Sequence, residues 1–169
     1  MYPAIAVALD AKLEVTGPGG KRTIDAADFF VSYLTTVLEP TEMLTEVRVP
    51  VLAARTGWSF IEVSRRHGDF ALTGIAATVT LENGGQCSAA RIVLFGVGAT
   101  PIRAQQAEQV IVGQKPNEKL LEQAGEKANG EIDDPLSDIH ASAEYRRHLA
   151  QVLTRRGLAA ALERAGAGK

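Results

Sequence analysis

The chain has 169 residues, is 46% hydrophobic and carries a formal net charge of −2. That length can bury roughly 70% of an unfolded surface, enough for one domain or one and a part. Interspersed acids and bases exclude the dense basic face that nucleic acid demands, no apolar run approaches the ~20 residues of a membrane span, and a lone Cys87 excludes an internal disulfide or multi-thiolate metal site. Met1-Tyr-Pro-Ala lacks the basic segment of a secretory signal, so the expected location is the cytoplasm.

Pro3–Leu9 fits the end of a helix, with Pro3 tolerable in the first turn. Leu13–Thr16 and Lys21–Ile24 flank Gly17-Pro-Gly-Gly20, which predicts a β-hairpin. Those glycines lack the Lys-Ser/Thr ending of a phosphate loop. Asp25 or Asp28 can cap a short helix through Phe29-Phe30. Leu44–Val49 alternates apolar and polar residues and predicts a strand closed by Pro50. A boundary is expected over Val51–Gly57, dividing the chain into 1–52 and 56–164. Three strands follow at Trp58–Val63, Gly74–Leu81 and Cys87–Gly96, the last two joined by the Glu82–Gln86 turn. Ile92 and Leu94 alternate with Val93 and Phe95, a pattern of burial on both faces.

Thr100-Pro101 predicts a helix start running to Val112 and stopping at Gly113. Asn117 caps a second helix to about Asn129. Ser142 caps a third, with Tyr145, Leu149, Val152 and Leu153 on its apolar face, a weak point at Gly157 and a frayed tail over Ala165–Lys169. The expected fold is α+β: a three-stranded antiparallel sheet with a three-helix layer, preceded by the tail of another α+β domain.

Few residues suggest hydrolytic or metal chemistry. His67, His140 and His148 are the only histidines and do not take ligand spacing. Cys87 is expected to be a small sheet residue. Ser64-Arg-Arg-His-Gly-Asp-Phe-Ala71 is the densest polar constellation and lies on a loop between strands. Gly68 there can take a positive φ. The arginines can bind a phosphate or carboxylate, Asp69 can pair with either, and Phe70 can offer a flat face to a ring. The plainer alternative is a salt-bridged turn with Phe70 in the core. Arg146, Arg147, Arg155 and Arg156 are expected to face solvent or a partner subunit.

Three segments change the weight of these alternatives. Glu39-Pro-Thr-Glu-Met-Leu-Thr-Glu-Val-Arg-Val-Pro50 resembles the strand that ends the FAD-binding domain of molybdenum hydroxylase flavoprotein subunits. Ser64–Ala71 resembles the segment opening their C-terminal domain, and Ser137–Leu149 with Arg155-Arg156 resembles their closing helix. The family includes the medium subunits of aerobic carbon monoxide dehydrogenase and the flavin portion of xanthine dehydrogenase. The resemblance implies an oxidoreductase subunit that carries FAD. FAD would take electrons from the two 2Fe–2S clusters of a small subunit and pass them to an external acceptor, while a large molybdopterin subunit hydroxylates the substrate.

By position, the resemblance places Met43 and Leu44 beside the isoalloxazine and Phe70 near the same ring, with Asp69 beside it. Ile61 stands where some members have Lys, which removes a cation from flavin tuning. The family's Ala-Gly-Gly and Ile-Gly-Gly-Asn pyrophosphate loops do not occur in this sequence. The resemblance therefore implies one wall of a flavin site without its phosphate anchor, inactive alone. An alternative is a non-catalytic module that docks iron–sulfur or molybdenum subunits.

Overall fold

The computed structural model describes residues 1–66 and 68–167. His67 and the last two residues of the expected tail lie outside them. The chain opens with α1 (Tyr2–Ala8), then β1 (Lys12–Gly17), β2 (Gly20–Asp25), α2 (Ala26–Phe29), β3 (Phe30–Ser32), β4 (Thr35–Thr36) and β5 (Met43–Arg48). Strands β1, β2 and β5 form an antiparallel sheet in the order β2-β1-β5. The glycine-rich stretch is the expected hairpin, with Gly17 opposite Gly20 and Gly20 at φ +108°. Asp25 stands at the N-cap of α2, but its side chain makes no cap bond there and instead accepts from Lys12 Nζ at 2.6 Å.

The larger sheet is antiparallel, in the order β6 (Thr56–Val63), β7 (Thr73–Leu81), β8 (Cys87–Phe95), β9 (Ile102–Arg103). Helices α3 (Gln105–Ile111), α4 (Glu118–Gly130) and α5 (Ala143–Ala167) cover one face. Period-two alternation sends Ile75, Ala77 and Val79 toward the helices, with Ile92 and Leu94 beside them. Ala76, Val93 and Phe95 point the other way and share a second core with Ala4, Val7 and Leu13. Residues of α1 and β1 therefore close the sheet's second face, which explains why β8 is apolar on both sides. Burial there is worth about 1.5–3 kcal/mol per large side chain.

Two expectations along this stretch fail for identifiable reasons. Thr100-Pro101 does not start α3. Ile102 and Arg103 pair with Leu94 and Val93 as a fourth strand. The helix start is capped from elsewhere: the Glu131 carboxylate accepts from Gln106 N at 3.0 Å and Ala107 N at 3.1 Å. Sheet pairing and a distant carboxylate together outweigh the local capping preference.

The second failure concerns α5. Gly157 does not weaken it, and the helix runs unbroken to Ala167. A Cβ at Gly157 would lie 3.0 Å from Ser59 Oγ and 3.2 Å from Ile75 Cγ2, so the glycine is a contact point with the sheet. The buried face is Arg146, Leu149, Ala150, Leu153, Thr154, Gly157, Leu158, Ala161 and Ala165, while Tyr145 is exposed. The apolar pattern found Leu149 and Leu153 on this face but not its small residues, which permit close approach and carry little hydrophobic signal. The Asn117 cap forms as expected, accepting from Leu120 N at 3.0 Å, and Ser142 Oγ accepts from Tyr145 N at 3.2 Å. Cys87 is fully buried, and that burial pushes its thiol pKa up.

Strand β5 is exposed at all six positions. Alternation would bury one face, yet none of the described residues covers it. Its entry is fixed by Glu42, which accepts from Arg22 Nε and Nη2, both at 2.7 Å, and from Glu39 N at 2.8 Å. The Arg22 bonds, then the Glu39 N–H, pull the Glu42 carboxyl down to about 2.

Candidate functional site

The loop between β6 and β7 is built by its own polar groups. Ser64 Oγ donates to Arg66 O at 2.9 Å, and Asp69 N donates to Arg66 O at 3.1 Å. Gly68 takes the expected positive φ, +84°. Asp69 accepts from Arg65 Nη2 at 3.3 Å and from Phe70 N at 3.1 Å. Leu72 N then rejoins the sheet by donating to Val63 O at 2.8 Å. The salt-bridged turn is therefore real, but Phe70 is not in the core: it is 95% exposed.

Phe70 lines two clefts. The larger, about 470 Å³, is bounded by the loop, by Phe95 and Gly96 at the end of β8, by Thr100-Pro101 and by Met1 and Pro3 at the chain start. Its volume lies within the roughly 300–1,000 Å³ typical of small-molecule sites. The smaller, about 330 Å³, adds Tyr33, Arg65, Asp138, His140 and Arg146. Both clefts share Asp69, Phe70, Ala71, Gly96 and Gly98.

The five residues singled out from sequence are not all gathered here. Asp69 and Phe70 stand together. Met43 and Leu44 lie on β5 of the other sheet, 66% and 37% exposed, and line neither cleft. Ile61 packs against the core beneath the helices, on the opposite sheet face from its neighbour Glu62, which lines the larger cleft.

Glu62 and the Gly96–Pro101 turn escaped the sequence reading. The turn did carry a signal: Gly96 sits at φ +74°, and a Cβ there would be 2.9 Å from Leu72 O. Only glycine lets that turn approach the loop so closely.

Arg146 escaped too, and its expected solvent exposure is overturned. It is 2% exposed, and its Nη2 donates to Asp138 Oδ2 at 2.8 Å. Asp138 also accepts from His140 N at 2.8 Å and Ala141 N at 2.9 Å. Those two backbone bonds, then Arg146, hold its carboxyl below the usual range. The other arginines behave differently: Arg147 donates to Ile132 O, and Arg155 approaches Glu122 at 3.6 Å on the surface.

Residues 58–161 match the CO dehydrogenase flavoprotein C-terminal domain. The chain belongs to that family. Residues 2–52 match the FAD binding domain in molybdopterin dehydrogenase. The chain is 38% identical over 163 residues to the 6-hydroxypseudooxynicotine dehydrogenase complex subunit alpha of Paenarthrobacter nicotinovorans, covering 96% of this chain and 55% of the relative. It is also 38% identical to the carbon monoxide dehydrogenase medium chain of Afipia carboxidovorans, covering 96% and 56%.

Among solved structures, the carbon monoxide dehydrogenase of Hydrogenophaga pseudoflava superposes with a TM-score of 0.93 at 34% identity, covering 97% of this chain and 56% of that one. The chain thus spans about half the length of the relatives it matches. It corresponds to the C-terminal portion of FAD-binding medium subunits of molybdenum hydroxylases, and the α+β fold is that of the CO dehydrogenase flavoprotein family.

The residues present fit one end of FAD. An exposed aromatic beside a cleft suits a flavin ring, which prefers offset contact with another π face. They do not fit the pyrophosphate. The glycine-rich hairpin at Gly17–Gly20 adjoins Arg22, and that guanidinium is committed to Glu42. No helix among the described residues is long and apolar enough to cross a membrane.

Proposed function

We propose that this chain forms the ring-side wall of the flavin site in the FAD subunit of a molybdenum hydroxylase. Residues 1–52 form the end of its FAD-binding domain and residues 56–164 its C-terminal domain. FAD held there would supply the redox chemistry, a relay of electrons from the 2Fe–2S clusters of a small subunit to an external acceptor. The molybdopterin-containing large subunit is the second partner.

The residues of this chain position and shield. Phe70 presents a free face for stacking. Asp69 holds the loop beneath it through Arg65 and the Phe70 N–H. Met43 and Leu44 offer exposed apolar surface on β5. Ile61 lends no charge, so any cationic tuning comes from elsewhere. The observation that carries the reading is Phe70: a large aromatic left 95% exposed at a cleft, on a loop inside the family match.

The pyrophosphate needs backbone N–H groups converging on its charges. Equilibrium dialysis of this chain with FAD is therefore expected to show no stoichiometric retention. Tight one-to-one binding by the chain alone would contradict the assignment of its residues to the ring end only. A docking module without flavin remains a second reading, favoured by the exposed Val47, Val49, Val51 and Leu52. Capture of the iron–sulfur or molybdenum subunits by this chain without flavin would support it.

A further inference from the structure

Arg146 lies among Leu149, Ala150 and Leu153 on the buried face of α5. A guanidinium in such a place loses its hydration and is held by the oxygens its terminal nitrogens reach. Here Nη1 and Nη2 are used, on two backbone carbonyls and one carboxylate, while the buried Nε has no partner among the described residues. Nη1 donates to Leu72 O and, at 2.9 Å, to Gly96 O. Nη2 takes Asp138, which the His140 and Ala141 N–H groups hold in place. In return, Thr73 Oγ1 donates to the Arg146 carbonyl at 3.4 Å. One side chain thus joins the start of β7, the end of β8 and the loop before α5.

The two strand ends it joins carry the two sides of the candidate site. Leu72 ends the loop that bears Asp69 and Phe70. Gly96 begins the turn that faces that loop across both clefts. A packing role would be met by a leucine; the three oxygens it reaches require a planar fork.

We propose that Arg146 is a positioning residue for the flavin-side loop: its guanidinium pins Leu72 to Gly96, and so sets where Phe70 stands and how wide the clefts open. The mechanism rests on hydrogen bonds alone. Only its functional consequence rests on the reading of Phe70 as the flavin wall.

The test uses the chain without flavin. Hydrogen exchange is followed at Asp69 and Leu72 in the loop and at Val79 and Val93 in the central strands. Tryptic cleavage after Arg65 and Arg66, whose side chains are 43% and 80% exposed, reads the same motion. Arg146→Lys keeps the charge but cannot reach three acceptors. It is expected to speed loop exchange and cleavage by about tenfold, the scale of one lost charged hydrogen bond, while Val79 and Val93 stay unchanged. Asp138→Asn is expected to act in the same direction and less. Should Arg146→Lys fail to fold, Asp138→Asn decides by the same comparison of loop and central strands. Unchanged loop exchange in Arg146→Lys, or equal acceleration in loop and central strands, overturns the proposal. Because no flavin is present, failure of the Phe70 reading would leave this result standing.

Discussion

Gly57→Ala is expected to destabilise the protein by about 3 kcal/mol, at the upper end of overpacking costs. Gly57 lies in β6 opposite Val79, directly beneath α5. A Cβ there would sit 1.8 Å from Ala161 O and 2.4 Å from Ala165 N. Both are backbone atoms, so no rotamer change relieves the clash. The helix itself must lift from the sheet, opening the contacts of Gly157 and Leu158. For a chain of this size the loss corresponds to roughly 6–12 °C in Tm. Gly84→Ala is the control: nothing lies within 4 Å of its would-be Cβ, and a change within about 0.5 kcal/mol is expected. Urea denaturation of both variants checks this. Equal stability of the two would mean that α5 does not press on β6 as described.

Glu108→Ala is expected to cost about 2–3 kcal/mol, the scale of stranding a buried N–H and losing charged hydrogen bonds to a partly exposed guanidinium. The Glu108 side chain is 7% exposed. It accepts from Ile92 N at 3.0 Å and from Arg103 Nε and Nη2 at 3.0 and 2.7 Å, with Arg91 Nη1 3.8 Å away. Truncation leaves a buried N–H and a guanidinium without partners at the junction of α3, β8 and β9. Arg91 continues the network to Asp10, so α1 is tied into the same point. Glu108→Gln keeps an acceptor for Ile92 N but loses the bidentate pair, and should fall between wild type and Glu108→Ala. Thermal unfolding measures the series. A cost below about 1 kcal/mol for Glu108→Ala would place the pair among surface bridges instead.

Both residues illustrate what a one-dimensional pattern reveals and hides. Strands β6 to β8, the two hairpins and the Asn117 and Ser142 caps were legible, because alternation, turn residues and capping side chains are local. The start of α3 was not, since its cap, Glu131, is about 25 residues away in sequence. The buried face of α5 was read only in part, through Leu149 and Leu153, because Gly157 and Ala161 contribute by being small. Arg146 was read as a solvated cation, although its acceptors are carbonyls 50 and 74 residues distant.

At the candidate site, the Gly68 turn and the Arg65–Asp69 pair were readable from the motif. The clefts on either side were not, since the Gly96–Pro101 turn and Met1 come from two other parts of the chain. Met43 and Leu44 were chosen through resemblance. They stand on a strand exposed at every position, which is where a further covering layer would meet this chain.

If Phe70 walls the flavin ring, as proposed, a partner segment that holds the phosphates should complete the site. Joining this chain behind the part of the Afipia carboxidovorans medium chain that lies outside the match, a 38% identical relative of which this chain covers 56%, supplies that partner. The fusion is expected to retain FAD stoichiometrically with quenched flavin emission, and Phe70→Ala is expected to brighten that emission and weaken retention. A fusion that folds and holds FAD with absorption, emission and affinity indifferent to Phe70→Ala would contradict the account.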